Sequence, residues 1–161
     1  MNTIFKKLNF KNQPEVHIFQ APESFRIHLS DMEGITAIEE GLPNGPSDFI
    51  LAFVRRQEEL GKVADAIANL RGDGLLWVAY PKKSSKKYTC DFDRDSGWDV
   101  FGRLGFEGVR MVAIDEDWSA LRLRRVEFIK TMTRSSKLAL TDEGKKRVGP
   151  VRKEAASKPF V

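Results

Sequence analysis

The 161 residues carry 27 Lys and Arg against 23 Asp and Glu, a net charge of +4, with 41% hydrophobic and 31% charged side chains. That balance fits one soluble globular domain with enough apolar material for a core. No apolar run is long enough to cross a bilayer and the first residues lack a signal-peptide core. The single Cys90 excludes an internal disulfide and a cysteine-built metal site, so a cytoplasmic protein is expected.

Residues 1–14 read as an extension ahead of an α/β domain over residues 15–130. A first strand is expected over residues 16–21, begun after Pro14 and broken by Pro22. Residues 23–32 predict a short helix with Phe25, Ile27, Leu29 and Met32 as apolar contacts. A brief second strand follows over 35–38 and is closed by the turn-rich stretch from Gly41 to Pro46. The unbroken run from Phe49 to Val54 predicts a strand over 48–54 buried on both faces.

Next, Leu60, Val63, Ala64, Ile67 and Leu70 fall on one face of a helix, with Gly72 as its stop. A fourth strand is expected over 75–80. Asp95 or Ser96 can cap a third helix that carries Trp98, Phe101 and Leu104 inward and ends at Gly105. Strands over 109–114 and 120–128 then flank a tight turn from Asp115 to Trp118. In the last of them Leu121 and Leu123 alternate with Arg122 and Arg124, which predicts one buried face and one wet face. The fold class expected is α/β: three-layer, Rossmann-like, with a mostly parallel sheet and a C-terminal antiparallel hairpin.

This order resembles the carboxyl half of the methyltransferase-type Rossmann fold, with Asp48-Phe49-Ile50 and Gly72-Asp73-Gly74 at the turning points. Three motifs stand in sequence: Ala21-Pro22-Glu23, then Trp77-Val78-Ala79-Tyr80-Pro81-Lys82-Lys83-Ser84, then Trp118-Ser119-Ala120-Leu121. They resemble those of a family of short uncharacterised bacterial proteins, over residues 16–128. The resemblance implies the fold and brings no activity with it. Methyltransferases of this type hold their cofactor with a glycine-rich turn after the first strand and an acidic residue after the second. Here the turn reads Phe19-Gln20-Ala21-Pro22-Glu23, without glycine, and Glu39 and Glu40 stand in the second position.

The strand over 75–80 discharges into a loop containing Lys82, Lys83, Lys86 and Lys87. In open α/β sheets ligands lie beyond such carboxyl ends, so this edge is where a ligand is expected. Candidate ligand-binding residues are Gln20, Ala21, Pro22, Glu23, Pro81, Lys82, Lys83, Ser84 and Trp118, with Arg55 nearby. Lys86 and Lys87 read as solubilising charges. The loop lacks the glycines of a phosphate-binding P-loop. Trp118 has two readings, a ring that stacks on a ligand or a plug for the end of the core.

No catalytic set, metal site or cofactor is expected. His17 and His28 have no third ligand, Cys90 has no base partner, and Asp91, Asp93 and Asp95 lack the glycine and the last glutamate of a calcium loop. Residues 131–161 hold eight basic and three acidic side chains, leaving 19 and 20 for the first 130. They read as a basic, disordered tail that touches nucleic acid weakly at most. The function expected is a non-enzymatic Rossmann-like module that binds a small anionic ligand or a protein partner. The alternative is a divergent S-adenosylmethionine-dependent methyltransferase relative.

Overall fold

The computed structural model describes residues 2–92 and 97–129. The expected tail, and Asp93, Asp95 and Ser96, lie outside the described residues. The apolar run after Ser47 forms β3 (Ser47–Phe53), the middle of a six-stranded mixed sheet. β1 (Glu15–Phe19) and β4 (Leu70–Pro81) flank it in parallel, and β2 (Ala37–Glu40) pairs in parallel outside β1. Beyond β4 the sheet turns antiparallel through β6 (Trp118–Arg125) and then β5 (Phe106–Ala113). The order is β2-β1-β3-β4-β6-β5. The molecule is thus mixed α/β, with the hairpin at one edge as the sequence predicts.

Alternation along the strands sends side chains to two separate cores. One face carries Phe49, Leu51, Phe53, Trp77, Ala79 and Ala120. Against it pack α1 (Thr3–Lys7) and α2 (Arg26–Asp31), the second preceded by a 3₁₀ turn over Glu23–Phe25. The other face carries Ile50, Ala52, Val54, Leu76, Val78, Leu121 and Leu123 beneath α3 (Gln57–Ala66) and α4 (Asp99–Arg103).

Residues 4–10, expected as part of an extension, instead send Ile4, Phe5, Leu8 and Phe10 into the core. Asn2 caps α1 by accepting from the Ile4 and Phe5 amides at 2.9 and 3.1 Å. Phe5 and Leu8 are fully buried, Phe10 nearly so, and the buried Trp77 Nε1–H donates to the Leu8 carbonyl at 2.9 Å. A five-residue helix has no clear apolar period, and its partner Trp77 is 69 residues away, so no local signal reveals the packing.

Further expectations change, among them Ile27, which is exposed rather than an apolar contact of α2. Gly72 does not stop a helix: α3 gives way to a 3₁₀ turn over Ile67–Asn69, and β4 starts at Leu70. Gly72 instead takes a left-handed φ of 48° inside β4, where the register against β3 shifts. Leu104, expected inward, is half exposed because α4 ends one residue before it, while Trp98 and Phe101 are buried as expected. Residues 126–128 leave the last strand for a 3₁₀ turn.

The crossover from β2 to β3 is a loop of six residues, short for a parallel connection. It suffices because β2 has only four residues, so the chain need not return along a full strand. Leu42 in that loop packs against the second core, and Asn69 Nδ2 donates to the Pro43 carbonyl at 2.9 Å. No helix among the described residues is long and apolar enough to cross a membrane.

Candidate functional site

Strand β1 leads to β2 on one side, and the chain then crosses β1 to form β3 on its other side. The strand order therefore reverses between β1 and β3, and a crevice opens beyond their carboxyl ends. A cleft of about 270 Å³ lies there, lined by Gln20, Pro22, Phe53, Arg55, Glu59, Tyr88 and Trp118.

Each lining group is held by a local device. Gln20 ends β1 with a left-handed φ of 56°, which turns the chain and aims its amide at β3. Its Nε2 donates to the Phe53 carbonyl at 3.0 Å and to Glu59 Oε2. Glu59 sits in the first turn of α3, and its Oε1 accepts from the Arg55 and Arg56 amides at 2.8 and 2.9 Å. Asp91 Oδ1 accepts from the Gln57 amide at 2.7 Å. Two carboxylates thus occupy amides at the start of α3, the place where an anion would otherwise bind. Burial pushes the Glu59 carboxyl up, but the amides of Arg55 and Arg56 and the Gln20 side chain outweigh it and hold the group below its ordinary range.

The other wall is aromatic. Trp118 is 2% exposed, packs edge-on against Phe53 at 5.2 Å and meets the Tyr88 ring at a tilt at 5.0 Å. Its Nε1–H is buried and has no acceptor among the described residues. The exposed Arg55 guanidinium lies over the Tyr88 ring at 5.5 Å, and Lys87 Nζ approaches the same ring at 5.5 Å. Trp118 thus closes the end of the core, as one of its two readings expects, and it also lines the cleft.

The lysine loop is organised by Ser85 rather than Ser84. Ser85 Oγ donates to Asp117 Oδ1 at 2.8 Å and accepts from the Lys87 and Tyr88 amides at 3.2 and 3.1 Å. The Lys82 amide donates to the Asp117 carbonyl at 2.8 Å, which ties the loop to the hairpin turn. In that turn Asp115 Oδ1 accepts from the Asp117 and Trp118 amides, both at 2.8 Å.

Of the residues singled out from sequence, the structure brings Gln20, Pro22 and Trp118 together with Arg55 in the cleft. Ala21 packs against the first core, and Glu23 starts the 3₁₀ turn with its side chain exposed. Pro81 is buried opposite Trp118 at the end of β4. Lys83 and Ser84 are exposed and Lys82 half-buried, outside the lining. Sequence reasoning missed Phe53, Glu59 and Tyr88. Glu59 stands three residues after Arg56, the residue that caps α3, and an acid at that spacing before an apolar periodic run was the available signal for it. Tyr88 carried none, because only the loop's path over the hairpin turn brings it to the cleft.

No group of three or more His, Cys, Asp or Glu among the described residues is arranged to hold a metal ion. His17 Nδ1 is instead 2.9 Å from Ser47 Oγ, and His28 Nδ1 is 3.0 Å from Asn2 Nδ2. No protein-family model matches the chain, and no curated protein is significantly similar to it.

Proposed function

We propose that this protein is a non-enzymatic, three-layer Rossmann-type module that binds a small anionic ligand bearing a planar ring. The ligand enters the cleft beyond β1 and β3, lies against Tyr88 and Trp118, and pairs its charge with Arg55. One observation carries this reading: an aromatic-walled cleft coincides with the reversal of strand order, the place where such sheets take ligands. The cleft is too small for a protein segment of any length, so a small molecule is favoured over a protein partner. Glu59 supports the non-enzymatic part, since its carboxylate is engaged by two backbone amides and the Gln20 side chain.

The methyltransferase alternative has less support. Where a glycine turn would let backbone approach the cofactor, Gln20 is anchored by its own side chain and Pro22 offers no amide.

Calorimetric titration of the full chain with S-adenosylmethionine and a panel of nucleotides tests both readings. The expected result is saturable binding of a ring-bearing anion, weakened by Arg55→Ala and by Tyr88→Ala, and weakened less by the double change of Lys82 and Lys83 to Ala. Binding should also fall with salt, because exposed charges are screened over about 10 Å at 0.1 M. Low-micromolar affinity for S-adenosylmethionine would reinstate the methyltransferase. Amide shifts confined to the far edge of the sheet would overturn the cleft as the site.

A further inference from the structure

On the first-core face of the hairpin, Arg110 on β5 stands directly opposite Arg122 on β6. Arg124 follows two residues along the same strand face. Directly opposed residues in an antiparallel pair lie about 5 Å apart at Cβ, and like charges in that position are destabilising. Two carboxylates accompany these three guanidinium groups. Asp73 on β4 is taken by Arg124 in a two-pronged pair at 2.8 and 2.7 Å, and Arg122 Nη2 reaches it only at 3.8 Å. Glu107 is fully buried opposite Arg124.

Arg122 is the least satisfied of the three. Its side chain is 14% exposed, and its buried Nε–H has no acceptor among the described residues. Burial lowers its proton affinity, and Arg124 and Arg110 lower it further, against the opposing pull of Asp73. Arg124 takes Asp73 in the close pair, which leaves Arg122 half-buried beside two like charges with a donor that no described residue accepts. A guanidinium fork fits the paired oxygens of an oxyanion.

We infer that the Arg110, Arg122 and Arg124 face of the hairpin is an oxyanion-binding site, separate from the cleft, that takes a phosphate, sulfate or carboxylate group. Arg122 presents the fork, and the exposed Arg110 closes over the anion from the neighbouring strand. Asp73 stays on Arg124 and holds that side chain in place. A bound anion turns the Arg110–Arg122 repulsion into a shared attraction. The Rossmann-type cleft plays no part in this site, so the two stand or fall separately.

The test is titration of the full chain with inorganic phosphate at constant ionic strength, read from arginine Nε–Hε resonances. The Arg122 signal should shift and saturate at phosphate concentrations of about 1 mM. Arg122→Gln should weaken binding about tenfold, the loss expected on removing a charge-assisted hydrogen bond. Arg110→Gln should give a similar loss, and its exposed position keeps that variant folded should Arg122→Gln fail to fold. Arg55→Ala should titrate like the wild type. A small uniform drift of all exposed Arg and Lys signals, without saturation at Arg122, would overturn the site. So would unchanged affinity in Arg110→Gln.

Discussion

The two faces of the sheet are covered in different ways. Above one face, α3 has ten residues and lays Leu60, Val63 and Ala64 over Ile50, Ala52 and Leu76, so the layer beneath that helix is aliphatic, while the rings of this face, Tyr80, Phe92, Trp98 and Phe101, gather around α4. Above the other, α1 and α2 have five and six residues, too few to be stable helices alone or to blanket four strands. Rings make up the difference. Phe5 meets Phe10, Phe25 and Phe49 at centroid distances of 5.9 to 6.1 Å, and Phe53 bridges Phe25 and Trp118 at 4.9 and 5.2 Å. A large side chain thus substitutes for helix length, and the aromatic layer runs on to the wall of the cleft. Phe53 and Trp118 both pack this core and line the cleft, whereas no buried residue of the other core lines it.

If rings do the covering, Phe5→Ala should be the most damaging single change, costing about 3–5 kcal/mol in equilibrium denaturant unfolding. Removing residues 2–10 should abolish the cooperative transition altogether. On the aliphatic face Leu60→Ala should cost about 2–5 kcal/mol, towards the lower end because neighbouring aliphatic side chains can close part of the cavity. A larger loss for Leu60→Ala than for Phe5→Ala would break the contrast between the faces.

The edge between α3 and the hairpin offers a third measurement. Arg125 lies over the Phe106 ring at 5.1 Å and donates to the carbonyls of Leu70, Gly72 and Ile67. Those carbonyls span the 3₁₀ turn after α3 and the start of β4, so Arg125 joins that connection to the last strand. Arg125→Met keeps the stem and removes the donors. Its expected cost in thermal or denaturant unfolding is about 1–3 kcal/mol, the range for leaving part-buried acceptors without partners.

Glu59 supplies the smallest effect, and it is read from pH. Its carboxyl is held below the ordinary value in the folded protein, so it binds a proton more readily in the unfolded chain. The stability it contributes is complete above the unfolded value of about 4.3 and disappears as pH falls through the lower folded value. Glu59→Gln should cost about 1 kcal/mol at neutral pH, typical of a lost cap, and little at low pH. A cost that grew as pH fell would contradict the capping role of Glu59 at the cleft.

Much of the aliphatic face was legible from the residues alone. The run from Phe49 to Val54 and the spacing of Leu60, Val63, Ala64 and Ile67 report a buried strand and an amphipathic helix, because period and burial are local properties. The alternation of Leu121 and Leu123 with arginines likewise placed the hairpin's buried side. It misjudged the opposite side, since Trp118 and Ala120, on the face of Arg122, are buried. Pattern records which residues share a face, not how far the neighbouring layer reaches over it.

Tertiary structure alone decided the rest. The N-terminal segment enters the core through Phe5 and through Leu8, whose carbonyl receives Trp77, and nothing within a window of a few residues encodes a contact across 69 positions. At the cleft, Gln20, Pro22, Arg55 and Trp118 were visible as residues beyond strand ends. Their meeting with Glu59 and Tyr88 depends on the crossover direction of β2 and on the Ser85–Asp117 tie that folds the lysine loop back. Local chemistry chose the elements and their buried sides. Long-range chain path chose which of their ends came together, because strand order and loop direction follow from contacts made only once the sheet has assembled.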